Sequence, residues 1–139
     1  MIISNYLVHS EDQYNTLFRE LNFRLNKKMV ILLKGELGSG KTTFIKQLLA
    51  YEFQFHDTNS PTFGLINTYA IQKKLIFHYD LYRIKEEVEL SEIGFYDNLE
   101  IEAIHFIEWP EIIPNKLIKP DIIISLETID IYRLISIKS

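Results

Sequence analysis

The sequence predicts an α/β fold built on a mixed parallel and antiparallel sheet, and three observations point to it. An apolar run, MVILL at 29–33, leads into a glycine cluster and then into apolar residues at helical spacing. Two further apolar segments, LIFHY and IHFI, each end on an acidic side chain, Asp80 and Glu108. The opening IISNYLV alternates like an edge strand, and the closing DIIISLET and DIYRLISIK read as an antiparallel pair. Apolar runs of this kind suit parallel strands covered by helices on both faces, whereas alternation suits antiparallel edges.

The elements follow in order. After the first strand, Ser10 and Gln13 form a capping-box pair, so a helix is expected from Glu11 to about Leu25 with Leu17, Leu21 and Leu25 as its buried stripe. Lys28 to Lys34 is a buried strand ended by Gly35. TTFIKQLLAYEF places Phe44, Ile45, Leu48 and Leu49 on one helical face. Residues 51–62 read as a loop closed by Ser60, Pro61 and Thr62. GLINTYAI and KKLIFHYD are close enough to form a hairpin across Gln72 and Lys73, with Asp80 at the end of its second strand. Helix formers from Lys85 to Leu99, punctuated by Gly94, predict two short helices. AIHFIEW is another buried strand, ended by Pro110. No repeat, low-complexity tract or linker divides the chain, so residues 1–139 are expected to form one domain.

Composition narrows the function classes. With 139 residues and 47 % apolar side chains the chain can bury one sizeable core, and without cysteine it has no disulfide, thiolate metal site or thiol nucleophile. Its apolar runs are far shorter than a membrane span, and MIISNYLVHSED lacks the basic and apolar regions of a secretory signal, so the cytoplasm is the expected compartment. The net charge of −4 argues against a surface that attracts polyanions throughout. Along the chain it divides: residues 1–85 carry 11 basic and 7 acidic side chains, whereas residues 86–111 carry 9 acidic and none basic. The first part suits phosphate binding. The second is either a set of solvated helical faces or a docking surface for a basic partner.

Residues 35–42 read GELGSGKT, a complete G-x-x-x-x-G-K-[ST] phosphate-binding loop. Gly35, Gly38 and Gly40 let the backbone, including Leu37 and Ser39, fold around phosphates with its N–H groups inward. The following helix adds its positive N-terminal end. Lys41 is expected to reach the β- and γ-phosphates, Thr42 to ligate Mg²⁺, and Thr43 to bond nearer the α-phosphate. A chance match is expected about once in 200 chains of this length. Strand and helix context sharpens the assignment to a P-loop NTPase-type three-layer fold.

Asp80 and Glu108 are both candidates for the C-terminal sheet edge, where such folds bind ligands. One should hold Mg²⁺, and the other should also bind it or orient the attacking water; the sequence does not divide these roles. Thr62 lies where switch segments sense a γ-phosphate, although a plain turn residue fits as well. Trp109 is a functional or a core aromatic, and Arg83 either a charge stabiliser or the partner of a nearby glutamate. His9, His56, His78 and His105 have no ligand-like spacing and are expected to be structural. No N-K-x-D guanine-reading motif is present, because Asn115-Lys116 is followed by Leu117-Ile118 and Asn26-Lys27 by Lys28-Met29, so ATP is the expected nucleotide. Only Arg19, Arg24 and Arg83 precede Arg133, and 139 residues leave little room for the Arg-rich lid of a small-molecule or nucleoside kinase, the alternative reading.

GELGSGKTTF, SPTFGLINTY, FHYDLYRI, ELSEIGF and FIEWPE, in that order, resemble the small bacterial P-loop ATPase family TsaE, also called YjeE. The resemblance covers Lys34 to Glu111 in blocks. It implies an ATPase binding ATP or ADP with Mg²⁺ that serves threonylcarbamoyladenosine modification of tRNA by docking on the TsaB and TsaD proteins and resetting them; since phosphoryl transfer relies on charge stabilisation that a partner can supply, the lone domain is expected to turn over slowly. By position it implies that Thr42 and Glu108 ligate Mg²⁺, Asp80 is the Walker B-like acid, Thr62 the switch threonine and Trp109 a functional aromatic. Glu11 and Arg133 are the implied nucleotide contacts from the first helix start and the last hairpin. Two departures stand out: Gly64 replaces a common hydroxyl residue after SPTF, and FHYD replaces YHFD.

Overall fold

The structure is a computed structural model that describes residues 3–22, 24–59, 61 and 65–139. Seven strands form one sheet: β1 (Ile3–Val8), β2 (Met29–Lys34), β3 (Ile66–Ile71), β4 (Lys74–Asp80), β5 (Ile104–Glu108), β6 (Ile122–Ile129) and β7 (Tyr132–Lys138). Their order is β1-β7-β6-β2-β5-β4-β3. β2 runs parallel to both neighbours, β5 and β6, and β4 is parallel to β5. The hairpin partner β3, and β7 with β1, are antiparallel. The predicted mixed sheet, parallel at its centre and antiparallel at its edges, is therefore present.

The apolar run of β2 is buried on both faces because helices cover both. Ile31 and Leu33 face α1 (Gln13–Leu21) and α2 (Lys41–Phe53), in a core with Phe18, Phe44, Ile45, Leu48 and Leu49. Leu32 faces the opposite core, built from Phe77, Tyr79, Leu90, Phe95 and Ile107 beside α3 (Val88–Glu92) and α4 (Phe95–Leu99). The period-two alternation of a strand produces this division. It also sets which way the strand-end acids point, because Ile76 of β4 and Phe106 of β5 belong to the α2 side.

The first helix is shorter than the sequence predicts. It begins at Gln13 and ends at Leu21, because Asn22 takes a left-handed conformation (φ 51°) and its N–H returns to the carbonyls of Arg19 and Phe18. Asparagine tolerates that conformation and closes helices in this way. The buried stripe is Tyr14, Leu17 and Phe18, with Leu21 partly buried, whereas Leu25 is buried from the connection beyond the helix. Half of the capping box forms: the Ser10 N–H donates to Gln13 Oε1 at 3.2 Å, while the Ser10 hydroxyl turns to Asp12. Edge-on contacts of Phe44 with Tyr14 and Phe18 lock α1 to α2.

The other elements depart little from expectation. α2 extends to Phe53, so the loop expected over 51–62 starts at Gln54. Gln72 and Lys73 both have positive φ, 50° and 66°, which is the backbone of a two-residue hairpin turn that follows the sheet's twist. Gly94 (φ 75°) separates α3 from α4 as predicted. No helix among the described residues is long and apolar enough to cross a membrane.

Candidate functional site

The glycine-rich loop at 35–40 spans the gap between β2 and α2. Gly35 is required by close approach: a Cβ there would lie 2.5 Å from Ser39 Oγ and 2.6 Å from the Leu126 carbonyl. Gly40 has φ 99°, and its Cβ would fall 2.7 Å from Arg133 Nε. Gly38 (φ 79°) faces open space, Leu37 is exposed and Ser39 is buried. Lys41 turns back into the loop, donating from Nζ to the carbonyls of Gly35 at 2.7 Å and Glu36 at 3.0 Å. Burial pulls its pKa below the ordinary lysine value, and the carboxylates of Glu108, Asp80, Glu111 and Glu36 oppose that shift.

The two acidic strand ends meet beside it. Asp80 and Glu108 are direct register partners across β4 and β5, and Leu33 of β2 is the next partner of Glu108. Both acids thus stand at the C-terminal sheet edge on the α2 side. Glu108 is 3 % exposed and accepts from Thr42 Oγ1 at 3.0 Å and 3.2 Å. Its Oε2 also bonds Nε2 of His78, for which the sequence predicts only a structural role. Asp80 accepts from the Tyr82 N–H at 3.1 Å. Burial, and then the nearby Glu108 charge, push the Asp80 pKa above its ordinary value, against the Tyr82 hydrogen bond.

Three more residues frame the cleft. Trp109 takes the left-handed region (φ 58°) just before Pro110, which is uncommon for a bulky side chain. Its ring centre lies 4.3 Å from Lys41 Nζ and 5.0 Å from the Tyr82 ring. Arg133, from β7, donates from Nε to the Ser39 carbonyl at 2.7 Å and so ties the last hairpin to the loop. The resulting cleft of ≈ 350 Å³ is lined by residues that include Leu37, Lys41, Thr42, Asp80, Glu108 and Arg133.

The remaining candidates are more scattered. Thr43 and Arg133 also border a smaller recess of ≈ 130 Å³ with Glu11 and Tyr14. Glu11 itself accepts from Gln47 of α2 at 3.3 Å. Arg83 is exposed, as are His9 and His56. His105 is buried, bonded to the Tyr79 hydroxyl at 2.9 Å and the Ile101 carbonyl at 3.0 Å, and stacked on Phe77. Thr62 and Gly64 lie outside the described residues.

The donor set suits a hard cation. Thr42, Asp80 and Glu108 offer only oxygen, and the described residues contain no cluster of three or more His, Cys, Asp and Glu that would form an all-protein cage. One or two carboxylates that leave positions for water and phosphate oxygens are the usual Mg²⁺ arrangement.

Comparison with known proteins gives this architecture a family. The profile of TsaE, threonylcarbamoyl adenosine biosynthesis protein TsaE, matches residues 8–135. The chain belongs to the TsaE family. Among proteins named tRNA threonylcarbamoyladenosine biosynthesis protein TsaE, that of Rickettsia conorii is 39 % identical over 127 residues, 90 % of this chain and 71 % of its own length. The Aquifex aeolicus protein of that name is 35 % identical over 133 residues, 93 % and 90 % of the two chains. The one from Haemophilus influenzae is 34 % identical over 122 residues, 86 % and 77 % of the two chains. The crystal structure of Bacillus subtilus YdiB has the same fold, with a TM-score of 0.69 at 20 % identity, covering 98 % of this chain and 84 % of that one.

Proposed function

We propose that this TsaE-family chain binds ATP with Mg²⁺ and hydrolyses it to ADP and phosphate. In this reading it is a cytoplasmic accessory subunit of tRNA threonylcarbamoyladenosine formation that docks on TsaB and TsaD and resets them between cycles. The observation that carries the ATPase reading is the convergence of Lys41, Thr42, Asp80 and Glu108 on the cleft beside the glycine loop. The relatives' name carries the tRNA-modification part.

Each side chain has a defined task in this scheme. Lys41 exchanges the Gly35 and Glu36 carbonyls for β- and γ-phosphate oxygens, which are stronger acceptors because they are charged. Loop N–H groups, with those of Leu37, Gly38, Ser39 and Gly40, and the N-terminus of α2 surround the phosphates, and Thr43 bonds nearer the α-phosphate. Thr42 and Glu108, with Asp80 beside them, hold Mg²⁺, which when bound neutralises charge on the phosphates. Asp80, half-buried, orients the attacking water, and Thr62 senses the γ-phosphate. Glu11 and Arg133 contact the nucleotide from the adjoining recess.

Turnover by the chain alone should be slow. Phosphoryl transfer depends on charge stabilisation, and a cation supplied by a partner is worth about 10³- to 10⁵-fold. Here Arg133 is engaged with the loop and Arg83 is exposed. Phosphate release from ATP by the purified chain should therefore be low and rise when TsaB and TsaD are added. Lys41→Ala should abolish it while the thermal melt and circular dichroism stay near wild type. Wild-type turnover by that variant would overturn the site assignment, and a labelled organic phosphate formed from a metabolite pool would favour a kinase.

A further inference from the structure

Against the proposed metal ligands packs a buried polar side chain that the scheme gives no task. His78 is fully buried, and its Nε2 meets Glu108 Oε2. Its other ring nitrogen, Nδ1, has no hydrogen-bond partner among the described residues. That asymmetry assigns the tautomer. A proton on Nδ1 would bury an unpaired N–H and leave Nε2 and the carboxylate oxygen facing each other as bare acceptors, whereas a proton on Nε2 satisfies both groups. His78 therefore donates to Glu108.

The sheet register explains why this pair can form. Asp80 and Glu108 are partners, as are His78 and Phe106, so His78 is the diagonal neighbour of Glu108 across β4 and β5 and points to the same face. Glu108 is thus held from two elements: the Thr42 hydroxyl of α2 reaches both carboxylate oxygens, and the His78 imidazole of β4 takes Oε2. A glutamate has three rotatable bonds, and a buried imidazole fixed by the sheet restricts the last of them. Among the described residues, Oε1 is left with Thr42 alone.

We propose that His78 is a positioning residue for cation binding: by donating to Oε2 it presets the Glu108 carboxylate toward Thr42. The inference rests on the reading of Glu108 and Thr42 as Mg²⁺ ligands and adds a residue to it. Partners that orient a ligand through such bonds typically contribute 10- to 100-fold to metal affinity.

The test uses the full chain with His78→Leu, His78→Gln and His78→Asn. The glutamine amide places an N–H near the position of Nε2, the asparagine amide is too short to do so, and leucine has none. ADP affinity is measured by calorimetry in EDTA and then against Mg²⁺ concentration. The expected result is ADP affinity in EDTA within about 2-fold of wild type for all three. The Mg²⁺ midpoint should rise about 10- to 100-fold for leucine and asparagine and return near wild type for glutamine. If leucine disrupts folding, judged by its melt, the glutamine–asparagine pair decides alone. Equal Mg²⁺ midpoints for those two overturn the inference while leaving the ligand assignment standing. A wild-type chain whose ADP binding ignores Mg²⁺ overturns both.

Discussion

Trp109 combines an uncommon backbone conformation with a side chain set against Lys41, the proposed phosphate-binding lysine. A bulky residue held in the left-handed region costs about 1–3 kcal/mol, which surrounding contacts must offset. Here the ring contacts both Tyr82 and the Lys41 ammonium. Since Trp109 is the only tryptophan in the chain, its emission should report the lysine moving onto phosphate. Addition of ATP with Mg²⁺ should shift that emission in wild type and much less in Lys41→Ala; identical changes in both would separate Trp109 from the lysine. His105 makes a second prediction at this scale. Burial, and secondarily Lys28, hold its pKa below the ordinary value despite its bond to Ile101 O. The native state then binds fewer protons than the unfolded chain once pH falls below about 6.5, so the full contribution is present above that value and is lost on acidification. The double substitution His105→Phe with Tyr79→Phe removes both partners of the buried hydrogen bond. It should flatten the loss of stability between about pH 6.5 and 5, measured by urea midpoints; an unchanged slope would assign the acid sensitivity elsewhere.

The β3–β4 hairpin shows where sequence chemistry and element geometry disagree. Its turn requires positive φ at Gln72 and Lys73, and neither residue type favours it. A left-handed residue costs about 1–2 kcal/mol, whereas glycine's extra unfolded freedom costs about 0.5–1 kcal/mol. Lys73→Gly should therefore stabilise the chain by about 0.5–1 kcal/mol, seen as a higher urea midpoint with an unchanged slope. A lower midpoint would show that the lysine side chain contributes more than the backbone strain costs. The hairpin was legible nonetheless, because strand composition on both sides of a two-residue gap leaves few other pairings. The end of α1 was not, because Leu25 continues the apolar spacing and only the left-handed Asn22 stops the helix.

At the scale of the molecule, charge is segregated. Within residues 86–111, Glu86, Glu87, Glu92, Asp97, Glu100, Glu102 and Glu111 are exposed, while Glu108 is buried in the cleft. Glu89 differs again: its carboxylate accepts from the N–H groups of Lys85 and Glu86 at 2.8 Å and 2.7 Å, fastening the entry to α3. Reversing Glu89 would loosen that entry as well as change charge, so it is a poor probe of docking. If this acidic surface meets a basic face of TsaB or TsaD, the pair Glu92→Lys and Glu100→Lys should weaken association several-fold at low salt and progressively less as salt rises. Unchanged affinity in a salt-varied titration would leave the acidic side chains as a solvated face.

Local order along the chain was enough to determine the strand–loop–helix unit, the glycine positions, and the acidic ends of LIFHYD and IHFIE, because each depends on residues a few positions apart. The tertiary structure decided what crosses between elements. It set Asp80 opposite Glu108, brought Arg133 from β7 to the Ser39 carbonyl, and turned the Trp109 ring over Lys41. His78 is the clearest case. In sequence it is one polar residue inside an apolar strand, and nothing near it signals a partner. Only the parallel register of β4 with β5 carries it to Glu108, because hydrogen bonding between strands fixes diagonal neighbours that no spacing along one strand can encode.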